Sequence, residues 1–167
     1  MPDAYTLRPA TAADLPAISA IYNHYIQSST CTFALEPETP AEREAWFDGR
    51  TAAHPVIVAE SGGEVVAWAS LSAWNKRCGY ACTVEWSVYV RDDWHRRGLA
   101  SAMLTELVRL AKAAGHRTII GGVSADQTAS LELHRRHGFV EVAHFREVGF
   151  KFGRWLDVIY LQLMLTG

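Results

Sequence analysis

The sequence has 167 residues, of which 49% are hydrophobic and 20% are charged, as is ordinary for one soluble globular domain with its own core. A formal net charge of -2 gives no electrostatic reason to expect nucleic-acid binding, and no apolar run approaches the ~18 residues of a membrane-spanning helix. The first nine residues lack the apolar core of a signal peptide, and the three cysteines form no Cys-x-x-Cys motif. We therefore expect one domain, residues 1–167, in the cytoplasm, without a nucleic-acid or membrane partner.

Two helices are predicted near the start of the chain. Apolar residues recur at helical spacing in TAADLPAISAIYNHYI, with Thr11 or Asp14 as the N-cap. The second helix begins in TPAEREAWF, where Thr39 fits the N-cap, Pro40 the first helical position and Glu42 the reciprocal capping residue.

The rest of the chain is predicted as strands with two further helices. Gly62 and Gly63 indicate a hairpin turn between the strands PVIVAES and EVVAWASLSAW. The strand TVEWSVYV precedes an amphipathic helix that stops at Gly115, and the strand RTIIGGVS precedes a short helix that ends at Gly138. FVEVAHFREVGF and DVIYLQLML are the last strands. The order is roughly β-α-α-β-β-β-α-β-α-β-β, which predicts a mixed α/β fold in one layered domain.

The segment WHRRGLAS, residues 94–101, lies where a predicted strand gives way to a helix. The N-terminus of a helix offers unpaired N–H groups and the positive end of the helix dipole. Gly98 allows a ligand to approach the backbone, Ala100 and Ser101 are small, and Arg96 and Arg97 add positive charge. This pattern favours a site for phosphate or pyrophosphate; the alternative is a plain turn with solvated arginines.

The order of this strand, loop and helix, followed by a strand and QTASLELHRRHGF, resembles the GNAT superfamily of N-acetyltransferases. The family's phosphate loop reads Gln/Arg-x-x-Gly-x-Gly/Ala, and here His95 occupies the first position. Its downstream motif reads Asn-x-x-Ser-x-x-Leu-Tyr/His-x-x-x-Gly-Phe, and here Gln127 replaces the asparagine. The other positions of that motif are Ser130, Leu133, His134, Gly138 and Phe139.

Nearly the whole chain also resembles one branch, the phosphinothricin and methionine sulfoximine acetyltransferases, through AIYNHYI, PETP, TVEWSVYV and GFKFGRWLD. The resemblance implies a GNAT fold, with a mixed and mostly antiparallel sheet flanked by helices. It implies an enzyme that transfers acetyl from acetyl-CoA to the amino group of a small amino acid or analogue, of the phosphinothricin, methionine sulfoximine or methionine sulfone type. It also implies a homodimer, and Phe150, Phe152 and Trp155 are candidates for its contact, with ordinary core packing as the alternative.

The resemblance further implies which residues hold acetyl-CoA. The main chain of one strand would pair with the pantetheine amides, the loop would surround the pyrophosphate, and the last helix would contact the far side. These residues are Val88, Tyr89, Val90, Arg96, Arg97, Gly98, Leu99, Ala100, Ser101, Gln127, Ser130 and Arg136. For the strand residues, simple sheet pairing is the alternative.

Glu85 is the candidate general base. Strand alternation puts Glu85 and Ser87 on one face and Trp86 and Val88 on the other. A mid-strand carboxylate is costly to bury without a partner or a purpose, and a free amino acid's amine is mostly ammonium near neutral pH. Glu85 would take the ammonium proton directly or through water. The alternative is an ion pair with Lys76 or Arg77.

His134 occupies the position where many relatives carry tyrosine, which would protonate the departing thiolate; the alternative is a capping or core histidine. His134 and His137 are three residues apart, but no further cluster supports a metal site, so no metal is expected. The amino-acid pocket is expected to include a cationic loop for an anionic group and an aromatic residue, unless the loop is merely exposed and polar. Its candidate residues are Phe33, Asn75, Lys76, Arg77, Glu85, Trp86 and Ser87.

Two other classes of function fit the same motifs. One is an acyltransferase for a different amine, such as a protein N-terminus or an aminoglycoside. Lysine and arginine in the expected pocket disfavour a polycationic aminoglycoside. The other is a non-catalytic CoA-binding sensor, and Glu85 argues against it.

Overall fold

The computed structural model describes residues 4–166, which form seven strands and four α-helices joined by turns, longer loops and three short 3₁₀ helices. The predicted order of elements is confirmed. The strands are β1 (Thr6–Pro9), β2 (Val56–Ser61), β3 (Glu64–Ala73), β4 (Thr83–Val90), β5 (Thr118–Ser124), β6 (Val140–Lys151) and β7 (Arg154–Met164). The helices are α1 (Leu15–Ser28), α2 (Pro40–Asp48), α3 (Leu99–Ala113) and α4 (Thr128–Arg136).

The strands form one sheet in the order β1-β2-β3-β4-β5-β7-β6. Neighbouring strands are antiparallel except β4 and β5, which are parallel and are connected through α3. The predicted fold class, a mixed and mostly antiparallel sheet flanked by helices, is therefore confirmed. Within residues 4–166 no helix is both long and apolar enough to cross a membrane.

The pairing of β4 with β5 is short. Only Thr83–Glu85 pair with Thr118–Ile120, and beyond them the two strands diverge. On the other side, β4 pairs with β3 along its whole length, from Val84 to Val90. The opening between β4 and β5, here called the wedge, therefore begins directly after Glu85.

The sheet has an apolar core on each face. One contains Trp86 of β4 and the buried side of α3, including Met103 and Leu107. The other contains Ile18 of α1 and Trp68 of β3. Tyr89 packs on Trp68 with their ring centroids 4.9 Å apart, so the alternate residues of β4 face opposite cores, as the sequence predicts.

The second helix begins as the sequence predicts. The Glu42 N–H donates to Thr39 Oγ1 at 3.3 Å, and the Thr39 N–H donates to Glu42 Oε2 at 2.8 Å. Each side chain thereby satisfies a main-chain donor that the helix itself leaves unpaired.

Candidate active site

A groove runs along β4 from the N-terminus of α3 into the wedge, through three adjoining cavities. The outer cavity, of about 430 Å³, is lined by residues that include Arg96, Gly98, Ala100, Ser101 and Arg136. The middle one, of about 320 Å³, is lined by residues that include Tyr25, Cys31, Val88, Gln127 and Ser130. The inner one, of about 80 Å³, reaches Ser87, Gly121, Gly122 and His134.

The loop of residues 95–101, here called the anion loop, has two residues with positive φ. Arg96 has a φ of 61° and Gly98 a φ of 80°, and α3 begins at the next residue. Alternating left-handed residues beside a helix N-terminus orient main-chain N–H groups in the way that binds anions. Arg97 packs over the Trp94 ring, with its guanidinium carbon 4.6 Å from the centroid, while Arg96 is exposed at the groove.

The end of α4 is attached to the start of α3 beside this loop. Ser101 Oγ and His137 Nε2 are 2.7 Å apart. Burial, and then the nearby positive charge of Arg136, lower the pKa of His137. Arg136 is exposed and lines the outer cavity, and its Nε forms an ion pair with Glu132 at 3.7 Å.

The direction of the main chain decides which residues of β4 face the wedge. The Arg91 N–H donates to the Val66 carbonyl, and the Thr83 carbonyl accepts from the Trp74 N–H, so the odd-numbered residues bond to β3. Tyr89 belongs to that set, and the expectation that its main chain pairs with a cofactor does not fit this geometry. Val88 belongs to the even-numbered set, whose N–H and carbonyl groups point towards the wedge.

The carbonyl of Val90 also points to the groove, but it has partners within the protein. It accepts from the Tyr25 hydroxyl and lies 3.0 Å from His95 Nε2. The same histidine nitrogen lies 2.6 Å from the Tyr25 oxygen. His95, the departure from the family's loop motif, therefore fixes the end of β4 to α1. Val88, two residues earlier, offers a main-chain acceptor that points the same way.

Glu85 lies at the closed end of the wedge. Its Oε1 is 3.5 Å from the point that a Cβ on Gly122 would occupy, and the nearest atom of the Tyr160 ring is 3.2 Å from the same point. Within residues 4–166 its carboxylate has no hydrogen bond or ion pair, so the alternative pairing with Lys76 or Arg77 is not formed. Burial raises the pKa of Glu85, as expected for a carboxyl group without a cation beside it.

The loop between β3 and β4 carries the cationic candidates. It enters β4 two residues before Glu85, and the Asn75 side chain accepts from the Arg77 N–H at 2.9 Å. The side chains of Lys76 and Arg77 are exposed and have no ion-pair partner in the described part of the chain. Ser87 lies on the same face of β4 as Glu85.

Trp86 and His134 form a buried pair on the opposite face. Trp86 Nε1 donates to His134 Nε2 at 2.9 Å, and His134 Nδ1 lies 2.7 Å from the Ser130 carbonyl. A Cβ on Gly121 would lie 2.2 Å from His134 Nε2, so the pair depends on glycine there. Trp86 and His134 line the inner cavity from this face, whereas the Glu85 side chain lies on the other face of β4.

The same geometry bears on the role of His134. The imidazole is 3% exposed, and burial lowers its pKa, so the ring is neutral near pH 7. Nδ1 then donates to the Ser130 carbonyl and Nε2 accepts from Trp86, which leaves no N–H for a departing thiolate. These contacts favour the core histidine over the catalytic one.

Two further candidates contact the loop that follows α1. Gln127 Nε2 donates to Thr30 Oγ1 at 2.8 Å, so the amide at the family's asparagine position holds this loop while it lines the groove. Phe33 packs on the main chain of β6, where a Cβ on Gly149 would lie 2.1 Å from its ring. Cys31, which the sequence did not single out, lines both the middle and inner cavities. A lone cysteine in a loop carries no sequence signal for this position.

Potential metal ligands do not converge in the described residues. Among residues 4–166 no three histidine, cysteine, aspartate or glutamate side chains are grouped so that they could hold an ion.

Comparison with known proteins identifies the family. A model described as "Acetyltransferase (GNAT) family" matches residues 18–139. An L-methionine sulfoximine/L-methionine sulfone acetyltransferase of Pseudomonas paraeruginosa is 41% identical over 96% of this chain and 94% of the relative. A phosphinothricin N-acetyltransferase of Streptomyces viridochromogenes is 37% identical over 93% of this chain and 85% of the relative.

A solved structure agrees with these sequences. The GNAT superfamily phosphinothricin acetyltransferase from Sinorhizobium meliloti, in complex with acetyl-CoA, is 34% identical to this chain. It matches with a TM-score of 0.93 over 96% of this chain and 88% of that chain. The chain therefore belongs to the GNAT acetyltransferase family, in the branch that contains the methionine sulfoximine and phosphinothricin acetyltransferases.

Proposed function

We propose that this protein transfers the acetyl group of acetyl-CoA to the amino group of a small amino acid or analogue, of the phosphinothricin, methionine sulfoximine or methionine sulfone type. The observation that carries the proposal is the groove, which joins an anion loop at a helix N-terminus to a wedge that ends at a carboxylate without a partner. The relatives named for these substrates match nearly the whole chain.

The residues of the groove fit acetyl-CoA in size and chemistry. Main-chain N–H groups of the anion loop, with Arg96 and Arg136, suit a pyrophosphate. The open carbonyl of Val88 suits an amide N–H of the pantetheine arm, as the edge of an added strand would. The inner cavity between Ser87 and Gly122 then receives the thioester.

In the proposed mechanism Glu85 accepts a proton from the substrate ammonium, directly or through water. The free amine attacks the thioester carbonyl, the C–N bond forms, and the C–S bond breaks as the thiolate leaves. The Val88 N–H, which points towards the wedge, donates to the oxyanion of the tetrahedral intermediate. Because both nitrogens of His134 are occupied, the thiolate takes its proton from the amine or from water.

Lys76 and Arg77 bind the anionic group of the amino acid in this proposal. Neither cation has an ion-pair partner within residues 4–166, and the loop that carries them enters the strand of Glu85. We expect Arg77→Ala to raise the KM for the amino acid about tenfold or more, with the KM for acetyl-CoA nearly unchanged. Arg109→Ala, on the exposed side of α3, is the control and should change neither value. An equal rise in both KM values for Arg77→Ala would instead indicate a role in loop packing.

The substrate class is tested by measuring CoA release with acetyl-CoA and a panel of amines. The panel contains phosphinothricin, methionine sulfoximine, methionine sulfone, the common amino acids, short peptides with free N-termini and an aminoglycoside. Release with the amino acids or analogues alone supports the proposal. Preference for peptides would favour the N-terminal acetyltransferase, and acetyl-CoA binding without release to any amine would favour the sensor.

We also propose that the protein is a single-domain, cytoplasmic homodimer that associates through the β6–β7 hairpin. Strand β6 is the last strand of the sheet, and Phe150, Phe152 and Trp155 are exposed rather than packed in a core, Trp155 by 62%. An apolar sheet edge of this kind is suited to being covered by a second copy of the chain.

Cell fractionation tests the proposed cytoplasmic location.

We expect Trp155→Asp to shift the protein from dimer to monomer in sedimentation velocity, because the charge would be buried in the contact. Tyr80→Asp, at an exposed aromatic residue in the β3–β4 loop, should leave the oligomer unchanged. A wild-type monomer at micromolar concentration would contradict the proposal.

A further inference from the structure

The loop that follows α1 covers one side of the groove. Residues 29–33, here called the strap, place Ser29 and Cys31 at the middle cavity, and Cys31 also at the inner one beside Ser87. Phe33, at the end of the strap, lies on Gly149 of β6. The position of the strap therefore determines the shape of the groove near the wedge.

Lys151, at the end of β6, binds the strap through hydrogen bonds to its main chain. Its ammonium donates to the Ser29 carbonyl at 2.7 Å and to the Thr32 carbonyl at 2.8 Å. The residue is only 3% exposed, and no carboxylate forms an ion pair with it within residues 4–166. Burial lowers the pKa of Lys151.

Burying an ammonium group in the core without a carboxylate beside it carries a large desolvation free energy. An apolar side chain of similar length would avoid the desolvation cost, but it would leave two strap carbonyls without donors. The hydrogen bonds to the strap therefore account for lysine at this position.

Other contacts anchor the same strap independently of Lys151. Thr30 Oγ1 donates to the Asp126 carboxylate, at 2.8 and 2.9 Å from its two oxygens, and Arg154 lies 2.6 Å from Asp126. Tyr22 bonds to Thr32 Oγ1 at 3.0 Å. The anchors come from distant parts of the sequence, and they converge on five residues at the groove.

We propose that Lys151 is a positioning residue for the amino-acid substrate: through the Ser29 and Thr32 carbonyls it keeps the strap, with Cys31 and Phe33, against the groove. The proposal rests on the proposed function, because it takes Phe33 as part of the amino-acid pocket and Cys31 as lining the inner cavity where the amine meets the thioester. Lys151 itself touches neither substrate and acts only through the strap.

The kinetic test is Lys151→Met, which keeps the length of the side chain and removes the donors. We expect the KM for the amino acid to rise about tenfold, with kcat and the KM for acetyl-CoA within about threefold of wild type. Lys112→Met, on the exposed end of α3, is the matched control and should change none of them. Tyr22→Phe removes only the hydroxyl that bonds Thr32 of the same strap, so it should give the same pattern, and it serves as the test if Lys151→Met does not fold.

A second measurement shows how firmly the strap is held, without depending on enzyme turnover. Amide hydrogen exchange, followed by mass spectrometry, measures the opening of residues 29–33. Because Lys151→Met removes the donors to the Ser29 and Thr32 carbonyls, exchange in the strap should be several-fold faster than in the wild type, and Lys112→Met should leave it unchanged. Faster exchange together with the raised amino-acid KM supports the proposal, and an unchanged value of either one overturns it. If the wild type acetylates no amino acid, the proposed function fails instead, so the two failures are distinct.

Discussion

Replacing Glu85 with glutamine should lower kcat by about 10²–10⁴-fold at pH 7, with little change in acetyl-CoA affinity. The substitution keeps the size of the side chain and one hydrogen-bonding oxygen, and it removes the group that accepts the ammonium proton. Glu85 has no hydrogen-bond or ion-pair partner within residues 4–166, so glutamine breaks no existing ion pair and the fold should persist. Glu106→Gln, at a half-buried position on α3 where the carboxylate pairs with Arg109, is the control and should retain wild-type kcat.

The pH dependence gives this prediction a second readout. The carboxylate must be ionised to act as a base, and burial raises the pKa of Glu85 above that of an ordinary glutamate. Wild-type kcat should therefore fall as the pH drops through this raised pKa, while Glu85→Gln should lose that acidic limb. At high pH solvent deprotonates the amine without help, so the variant should recover part of its rate. If Glu85→Gln retains a near wild-type kcat at pH 7, Glu85 is not the general base, and positioning of the two substrates is the main source of catalysis.

Local sequence patterns were sufficient for the parts of the site that depend on neighbouring residues. The anion loop follows from Gly98 at the start of an amphipathic helix, because a helix N-terminus is defined by consecutive residues. The separation of Glu85 from Trp86 onto two faces follows from strand alternation alone. Both Trp86 and Ser87 nonetheless line the inner cavity, so neighbouring residues of β4 reach it from opposite faces of the strand.

Local sequence patterns do not predict contacts between residues that are far apart in the chain. Whether the Tyr89 main chain faces β3 or the wedge depends on the register of two strands, which side-chain chemistry does not encode. The bond between Trp86 and His134 joins residues 48 apart and needs glycine at position 121 on a third element. Lys151 lies 122 residues from Ser29, the strap residue whose carbonyl it binds.

Gly98→Val should raise the Kd for acetyl-CoA at least tenfold, because the position combines backbone strain with contact to the cofactor. At a φ of 80° a β-branched residue is strained, and the anion loop must turn there for its N–H groups to face the outer cavity. A Cβ at Gly98 meets no protein atom within 4 Å, so valine would project into open space at the groove rather than into the core. Titration calorimetry with acetyl-CoA measures the change.

Gly115, at the other end of α3, offers a control that separates binding from strain. Its φ is 81°, and a Cβ there also meets no atom within 4 Å, so Gly115→Val carries the same backbone cost without touching the groove. Both variants should lose similar stability, of about 1–2 kcal/mol, in thermal or denaturant unfolding. Only Gly98→Val should lose acetyl-CoA affinity. A folded Gly98→Val with wild-type Kd would reject the anion loop as the pyrophosphate site, and equal losses of affinity in both variants would assign the effect to α3 stability instead.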